Sequence, residues 1–332
     1  MIALIGSRAL KHHFDDFRDP IDWDLVISND ELLTIEKQIG GTWRYKRENH
    51  YVCRHGNKTI EVWVAKPKNS EQLILDSCSE EIKTPFGNVF LPSIEALCAV
   101  KRAHLYWPYH WEKHIKDYHF LLAKGINFDK KIFKLRKKEH EERLGKNHIN
   151  LKMKNCDFFA KSQPMVQRVF DHDSLHYATC YYDKPLYKQC KHNPELATID
   201  EDLFNKLCHS DKLRMVKEEC YALSLEREII PIITHWRDME NSNLISKRTM
   251  ESAYSKWLMK LATSVSRGWF REFVIENWPS IKYPDKDYVD EFLKTAENGR
   301  IKLYGPSNYI DGSISDYFKL LRKHRRAALK QN

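Results

Sequence analysis

Apolar and polar positions alternate over short spans through the first 90 residues and then give way to longer, helical periods. Residues 2–5 form an apolar run that stops at Gly6-Ser7 and predicts a strand; residues 9–17 fit a short helix. A second strand is predicted over 22–27 (D-W-D-L-V-I). Ser28-Asn29-Asp30 then offers N-cap chemistry to a helix over 31–39, which Gly40-Gly41 stops. Two further strands are expected around 43–46 and 51–54. The clearest β run is 58–65 (K-T-I-E-V-W-V-A), with Gly56-Asn57 in the place of a hairpin turn. From Pro92 onward the pattern predicts helices over 93–106, with Ser93 as N-cap, over 111–123, closed by Gly125, and over 128–143. Further helical stretches are expected near 163–182, 199–209, 211–238, 247–264 and 286–296, and a basic amphipathic one over 317–330. The polar stretch 145–162 marks a boundary. The expected class is α+β: a small mixed-sheet domain with trailing helices over 1–145, then a mainly helical domain over 146–332.

Composition narrows the classes. With 42% hydrophobic residues among 332, disorder of the whole chain is excluded. The 11 Gly and 12 Pro exclude collagen-like and low-complexity chains. No apolar run approaches the ~20 residues a membrane span needs. The opening M-I-A-L-I-G has no basic segment and no long apolar core, so no secretory signal is expected. Eight cysteines without a C-x-x-C pair read as reduced thiols of a cytoplasmic protein and argue against a cysteine zinc site. The net charge of +9 fits a polyanionic partner, RNA, DNA or NTP. The 12% aromatic content suits base stacking and a large core equally.

Three features in fixed order carry chemistry. Gly6-Ser7 follows a strand and precedes a helix, Asp22 and Asp24 stand two apart at the start of the next strand, and Glu61 lies between Ile60 and Val62 in the third strong strand. Residues two apart on a strand project to one face, so Asp22 and Asp24 point together, and a paired strand brings Glu61 beside them. Crowded carboxylates repel one another and call for cations. Two Mg²⁺ ions about 3.5–4 Å apart would satisfy them and serve an in-line phosphoryl displacement. Gly6 allows close backbone approach to a phosphate, Ser7 adds a hydroxyl, Arg8 a charge, and the helix start its dipole.

The stretches G-S-R-A-L, D-W-D-L and I-E-V resemble the polymerase-β-like nucleotidyltransferase superfamily, and within it the minimal nucleotidyltransferases that share the G-S-R-A opening. The resemblance covers roughly the first 120 residues. It implies a small mixed sheet with flanking helices, phosphate contact at Gly6 and Ser7, metal binding at Asp22 and Asp24, and Glu61 as the third carboxylate, orienting or activating the attacking hydroxyl. The implied reaction moves a nucleoside monophosphate from an NTP, ATP among them, and releases pyrophosphate. The chain departs from the family pattern by starting directly at the first strand, and by carrying Leu10-Lys11-His12 where many members have a further Gly.

Lys101, on the helix after the sheet, is the candidate for the NTP triphosphate, its alternative being a solvated helix face; Arg102 neighbours it. Lys113 and Asp117 stand at i,i+4 and are expected to pair. In D-H-D-S-L-H, His172 and His176 share one helix face around Asp173, one methylene short of the zincin motif. They read as a metal site completed by Glu218, Glu219 or Glu226, as a hydrogen-bonded polar cluster, or as a substrate-recognition face. The basic stretches 130–143 and 317–330 read as RNA-backbone contacts or as solvated faces. Tyr106, Trp107, Tyr109 and Trp111 read as base-stacking groups or as core. For the acceptor, RNA, with a tRNA end in view, comes first, a protein hydroxyl second and a small molecule third. The competing class is a nucleotide- or partner-binding protein on the same scaffold without catalysis.

Overall fold

The computed structural model describes residues 1–47, 49–107, 109–147, 201–225, 229, 247–263, 268–287, 289, 290 and 293. The fold is α+β, and the chain divides into two compact units, Met1–Asn147 and His148–Asn332. No described helix is long and apolar enough to cross a membrane.

Unit 1 is built on seven strands: β1 (Ile2–Ile5), β2 (Trp23–Ile27), β3 (Thr42–Arg47), β4 (His50–His55), β5 (Lys58–Val64), β6 (Cys78–Thr84) and β7 (Gly87–Pro92). Their order across the sheet is β3-β4-β5-β2-β1-β7-β6. β2 runs antiparallel to β1 and parallel to β5, so the two strands that carry the carboxylates are immediate neighbours. The central strands supply the core: Ala3, Leu4, Leu25, Val26, Ile27, Ile60 and Val62 are all fully buried, and on β5 they alternate with half-buried Glu61 and Trp63. Each large side chain among them contributes about 1.5–3 kcal/mol of burial.

Helices α1 (Gly6–His13), α2 (Leu32–Ile39), α3 (Ser70–Asp76), α4 (Ile94–His104), α5 (Trp111–Ala123) and α6 (Lys130–Asn147) complete the unit. Gly40, with φ of 61°, ends α2, and a 3₁₀ turn over Asn29–Glu31 precedes that helix. Ser93 caps α4, its Oγ accepting from Ala96 N at 3.2 Å. α1 begins at Gly6, three residues earlier than expected. The hairpin of β6 and β7 and helix α3 have no counterpart in the sequence expectations. The β6 run C-S-E-E-I-K-T is an edge strand, and most of its residues meet solvent, so it lacks an apolar signature.

In unit 2 the described helices are α7 (Glu201–Lys206), α8 (His209–Ser224), α9 (Lys247–Ala262) and α10 (Gly268–Ile281). The last three pack together around Met215, Val216, Cys220, Tyr254, Leu258, Phe270, Val274 and Ile275. Tyr254 Oη donates to the Ile281 carbonyl at 2.8 Å and ties the middle of α9 to the end of α10. Residues 171–176, which include His172, Asp173 and His176, the basic stretch 317–330, and Glu226 lie outside the described residues. The other two glutamates weighed as ligands are buried on α8, where Arg214 Nε pairs with Glu218 at 3.2 Å.

Candidate active site around Gly6, Asp22, Asp24 and Glu61

The site grows from a register. Asp24 on β2 is paired with Ile5 of β1 on one side and with Glu61 of β5 on the other. In a parallel ladder, register partners project to the same face, so Asp24 and Glu61 stand side by side. Asp22 sits one residue ahead of β2, and its Oδ1 is buried without a hydrogen-bond partner. Burial and the neighbouring Asp22 carboxylate push the Asp24 carboxyl up to about 7, with Glu61 adding to the effect; Lys101 and Lys113 oppose it. Gly6 takes a left-handed φ of 72° directly opposite. A Cβ there would lie 2.9 Å from Asp24 Cγ, so only glycine fits.

Ser7 opens a second layer. It is buried at the start of α1, and its Oγ accepts from Arg18 Nη2 and, at 3.4 Å, from Lys101 Nζ. Asp117 holds both cations: Arg18 donates to it in bidentate fashion at 2.7 and 2.8 Å, and Lys101 pairs with it at 2.7 Å. Burial alone would raise the Asp117 carboxyl, but Arg18 and Lys101 outweigh it and hold it below its usual value. Burial lowers the Lys101 ammonium, and Asp117 opposes that shift. Two cations against one buried carboxylate leave positive charge facing Ser7. The expected Lys113–Asp117 pair is thus replaced by Lys101 and Arg18, and Lys101 is buried rather than on a solvated face.

Arg8 engages the backbone ahead of β2. Its Nε donates to the Asp22 carbonyl at 3.2 Å and its Nη2 to the Pro20 carbonyl at 3.3 Å, while the guanidinium lies 4.0 Å over the Trp23 ring. It braces the loop that presents Asp22. Glu61 is held from the other side: His50 Nε2 lies 3.0 Å from Oε2, and Lys46 Nζ lies 3.7 Å from Oε1. The His50 ring is stacked on Trp63 at 4.7 Å.

Among the described residues, no three His, Cys, Asp or Glu side chains form a ready-made metal cage. Mg²⁺ seldom uses one; it is commonly bound through one or two carboxylates, with substrate phosphates and water completing the octahedron. Asp22 and Asp24 fit that pattern. They are hard oxygen donors, one has an orphaned buried oxygen, and the other is strained by like charge. Of the aromatic residues considered for stacking, Tyr106 and Trp111 belong to the core and Tyr109 is exposed. Arg136 of the basic stretch is buried on Glu71 at 2.8 Å. Arg18, His50 and Trp63 were missed. Arg18 lies 99 residues from its partner Asp117, and no local pattern marks it.

The family model of the domain of unknown function DUF7275 matches residues 96–291, more than half of the chain. The chain belongs to the DUF7275 family. A second model, the domain of unknown function DUF7277, matches residues 2–78. Gly6, Ser7, Asp22, Asp24 and Glu61 therefore fall in the DUF7277 match, and Lys101 and Asp117 in the DUF7275 match. The cluster around Ser7 joins the two segments within unit 1. No curated protein matches the chain.

Proposed function

We propose that this DUF7275 protein is a Mg²⁺-dependent nucleotidyltransferase of the polymerase-β-like type. The observation that carries the reading is the pairing of Asp24 with Glu61 beside Gly6-Ser7, with the Asp22 Oδ1 buried and unpartnered. Asp22 and Asp24 would hold Mg²⁺, which when bound neutralises phosphate charge and lowers the cost of displacement at phosphorus. Gly6 lets the NTP phosphates approach the backbone, and the positive layer of Arg18 and Lys101 behind Ser7 receives the charge of the leaving pyrophosphate. The acceptor hydroxyl oxygen forms a bond to the α-phosphorus as the bond from that phosphorus to the α–β bridging oxygen breaks. Glu61 takes the hydroxyl proton, its carboxylate held in place by His50. RNA is the favoured acceptor, followed by a protein hydroxyl.

A second reading, a nucleotide- or partner-binding protein on this scaffold, draws support from the engagement of Glu61 by His50 and Lys46. Thermal melting with each NTP, with and without Mg²⁺, tests the nucleotide site. The proposal expects Mg²⁺-dependent stabilisation that is lost in Asp22→Asn/Asp24→Asn. Stabilisation indifferent to both Mg²⁺ and the substitutions favours the binding protein.

A further inference from the structure

A cleft of about 520 Å³ lies between the paired start of β4 and end of β5, the segment 66–69 and α6. His50 and Trp63 line it from the strands. Trp63 is two residues beyond Glu61 on β5, hence on the same face and about 7 Å along the strand. His50 spans the two: its Nε2 meets Glu61 at 3.0 Å while its ring stacks on Trp63, and its Nδ1 is buried without a hydrogen-bond partner. Trp63 is half-buried, so it lends aromatic surface to the cleft.

The walls carry Lys66, Lys68, Lys138 and Arg143. Lys68 is held with φ of 70°, a conformation that non-glycine residues rarely adopt, and this fixes how the lip of the cleft is presented. Three carboxylates also line the cleft, and each has a protein partner. Glu71 is paired with buried Arg136 at 2.8 Å, Glu139 accepts from Ser70 N and Oγ at 2.9 and 2.6 Å, and Glu142 lies 3.8 Å from Lys138. With Arg136 behind Glu71, the wall is net positive.

An aromatic surface and neighbouring cations are what a base-bearing phosphate chain needs: the base stacks and the phosphates lie along the lysines. We infer that this cleft binds a nucleotide unit of the acceptor, the 3′ end of a single RNA strand, and so delivers its terminal hydroxyl to Glu61. The inference rests on the nucleotidyltransferase reading for the role of Glu61, but not for the binding itself. A free mononucleotide shares the ligand chemistry and is the other source.

The test is fluorescence anisotropy of a 5′-labelled decamer of oligoadenylate RNA with the full chain, without NTP or Mg²⁺, with AMP as competitor. Lys68→Glu/Lys138→Glu, which changes two exposed side chains, is expected to weaken decamer binding about tenfold or more, and Trp63→Ala about tenfold. Trp63→Phe should recover part of the Trp63→Ala loss. AMP displacing the decamer at equal affinity would assign the cleft to a free mononucleotide and overturn the acceptor-strand assignment. No binding, or binding that none of the cleft variants changes, overturns the inference altogether. RNA binding through the cleft without any nucleotide transfer would sink the enzymatic reading alone. Transfer with unaltered RNA affinity in the cleft variants would sink the cleft alone.

Discussion

Gly6 and Asp24 face each other across β1 and β2 with no room for a side chain between them: a Cβ on Gly6 would lie 2.9 Å from Asp24 Cγ and closer still to Oδ2. The left-handed φ of 72° adds a second demand for glycine. Gly6→Ala is therefore expected to displace the Asp24 carboxylate. Calorimetric titration with Mg²⁺ and an NTP should show at least a tenfold loss of affinity, with a fold that circular dichroism finds intact. Unchanged affinity would show that the close approach has no part in binding.

Asp24 makes the unliganded protein less stable as pH rises. Its folded-state carboxyl lies near 7 against an ordinary value of 3.8, so the folded chain holds a proton that the unfolded chain has lost between those values. Stability from this group is present below about pH 4 and declines up to about pH 7. Asp24→Asn removes the penalty. The variant should be more stable than the wild type by about 1–3 kcal/mol at pH 8 and equal to it at pH 4, as read from urea unfolding. A variant less stable at pH 8 would contradict the like-charge account.

Lys101 and Asp117 test whether the buried layer acts as a unit. Asp117→Asn leaves the Lys101 ammonium buried without its carboxylate and should cost about 3–5 kcal/mol. The double variant Lys101→Met/Asp117→Asn should recover part of that loss, since the stranded charge goes with it. Equal costs for the single and double variants in urea unfolding would argue that the pair is not the source.

Much of this arrangement could be read in advance, and the failures have physical causes. β1 is a plain apolar run, β2 is apolar but for Asp24, and β5 alternates buried Ile60, Val62 and Val64 with half-buried Glu61 and Trp63; that is why Gly6, Asp22, Asp24 and Glu61 could be placed in order on their elements. Lys101 could be suspected as a phosphate contact but not as buried, because lysine is ordinarily exposed and its partners Arg18 and Asp117 come from distant segments. The Lys113–Asp117 spacing suited a helix-surface pair, and tertiary structure overrode it. β6 has too few buried positions to alternate visibly. α10 carries Pro279 near its end and aromatic residues around much of its circumference, which masks a helical period.

The histidines at the junction of α4 and α5 make unit 1 sensitive to acid. Burial, then the Arg136 guanidinium, lowers His104 to about 3, and burial, then His104, lowers His114 well below its ordinary 6.5; the two rings stack at 4.5 Å. The unfolded chain binds protons that the folded chain refuses. Stability is thus full above about pH 6.5 and is lost progressively toward pH 3. At pH 5 the loss from His104 should be about 1–2 kcal/mol, with His114 acting in the same direction. His104→Gln/His114→Gln should flatten the decline between pH 6.5 and 5 in thermal melts. An unchanged slope would place the titrating groups elsewhere.

The central claim is transfer of a nucleoside monophosphate, and α-labelled NTP measures it directly. Each of the four NTPs would be given with Mg²⁺ to the full chain in the presence of total RNA, of a protein lysate, and of neither, beside Asp22→Asn/Asp24→Asn. The account predicts label entering the RNA fraction with stoichiometric pyrophosphate, and at least a thousandfold less of both in the variant. Neither transferred label nor pyrophosphate from any NTP, or equal amounts from wild type and variant, would contradict it.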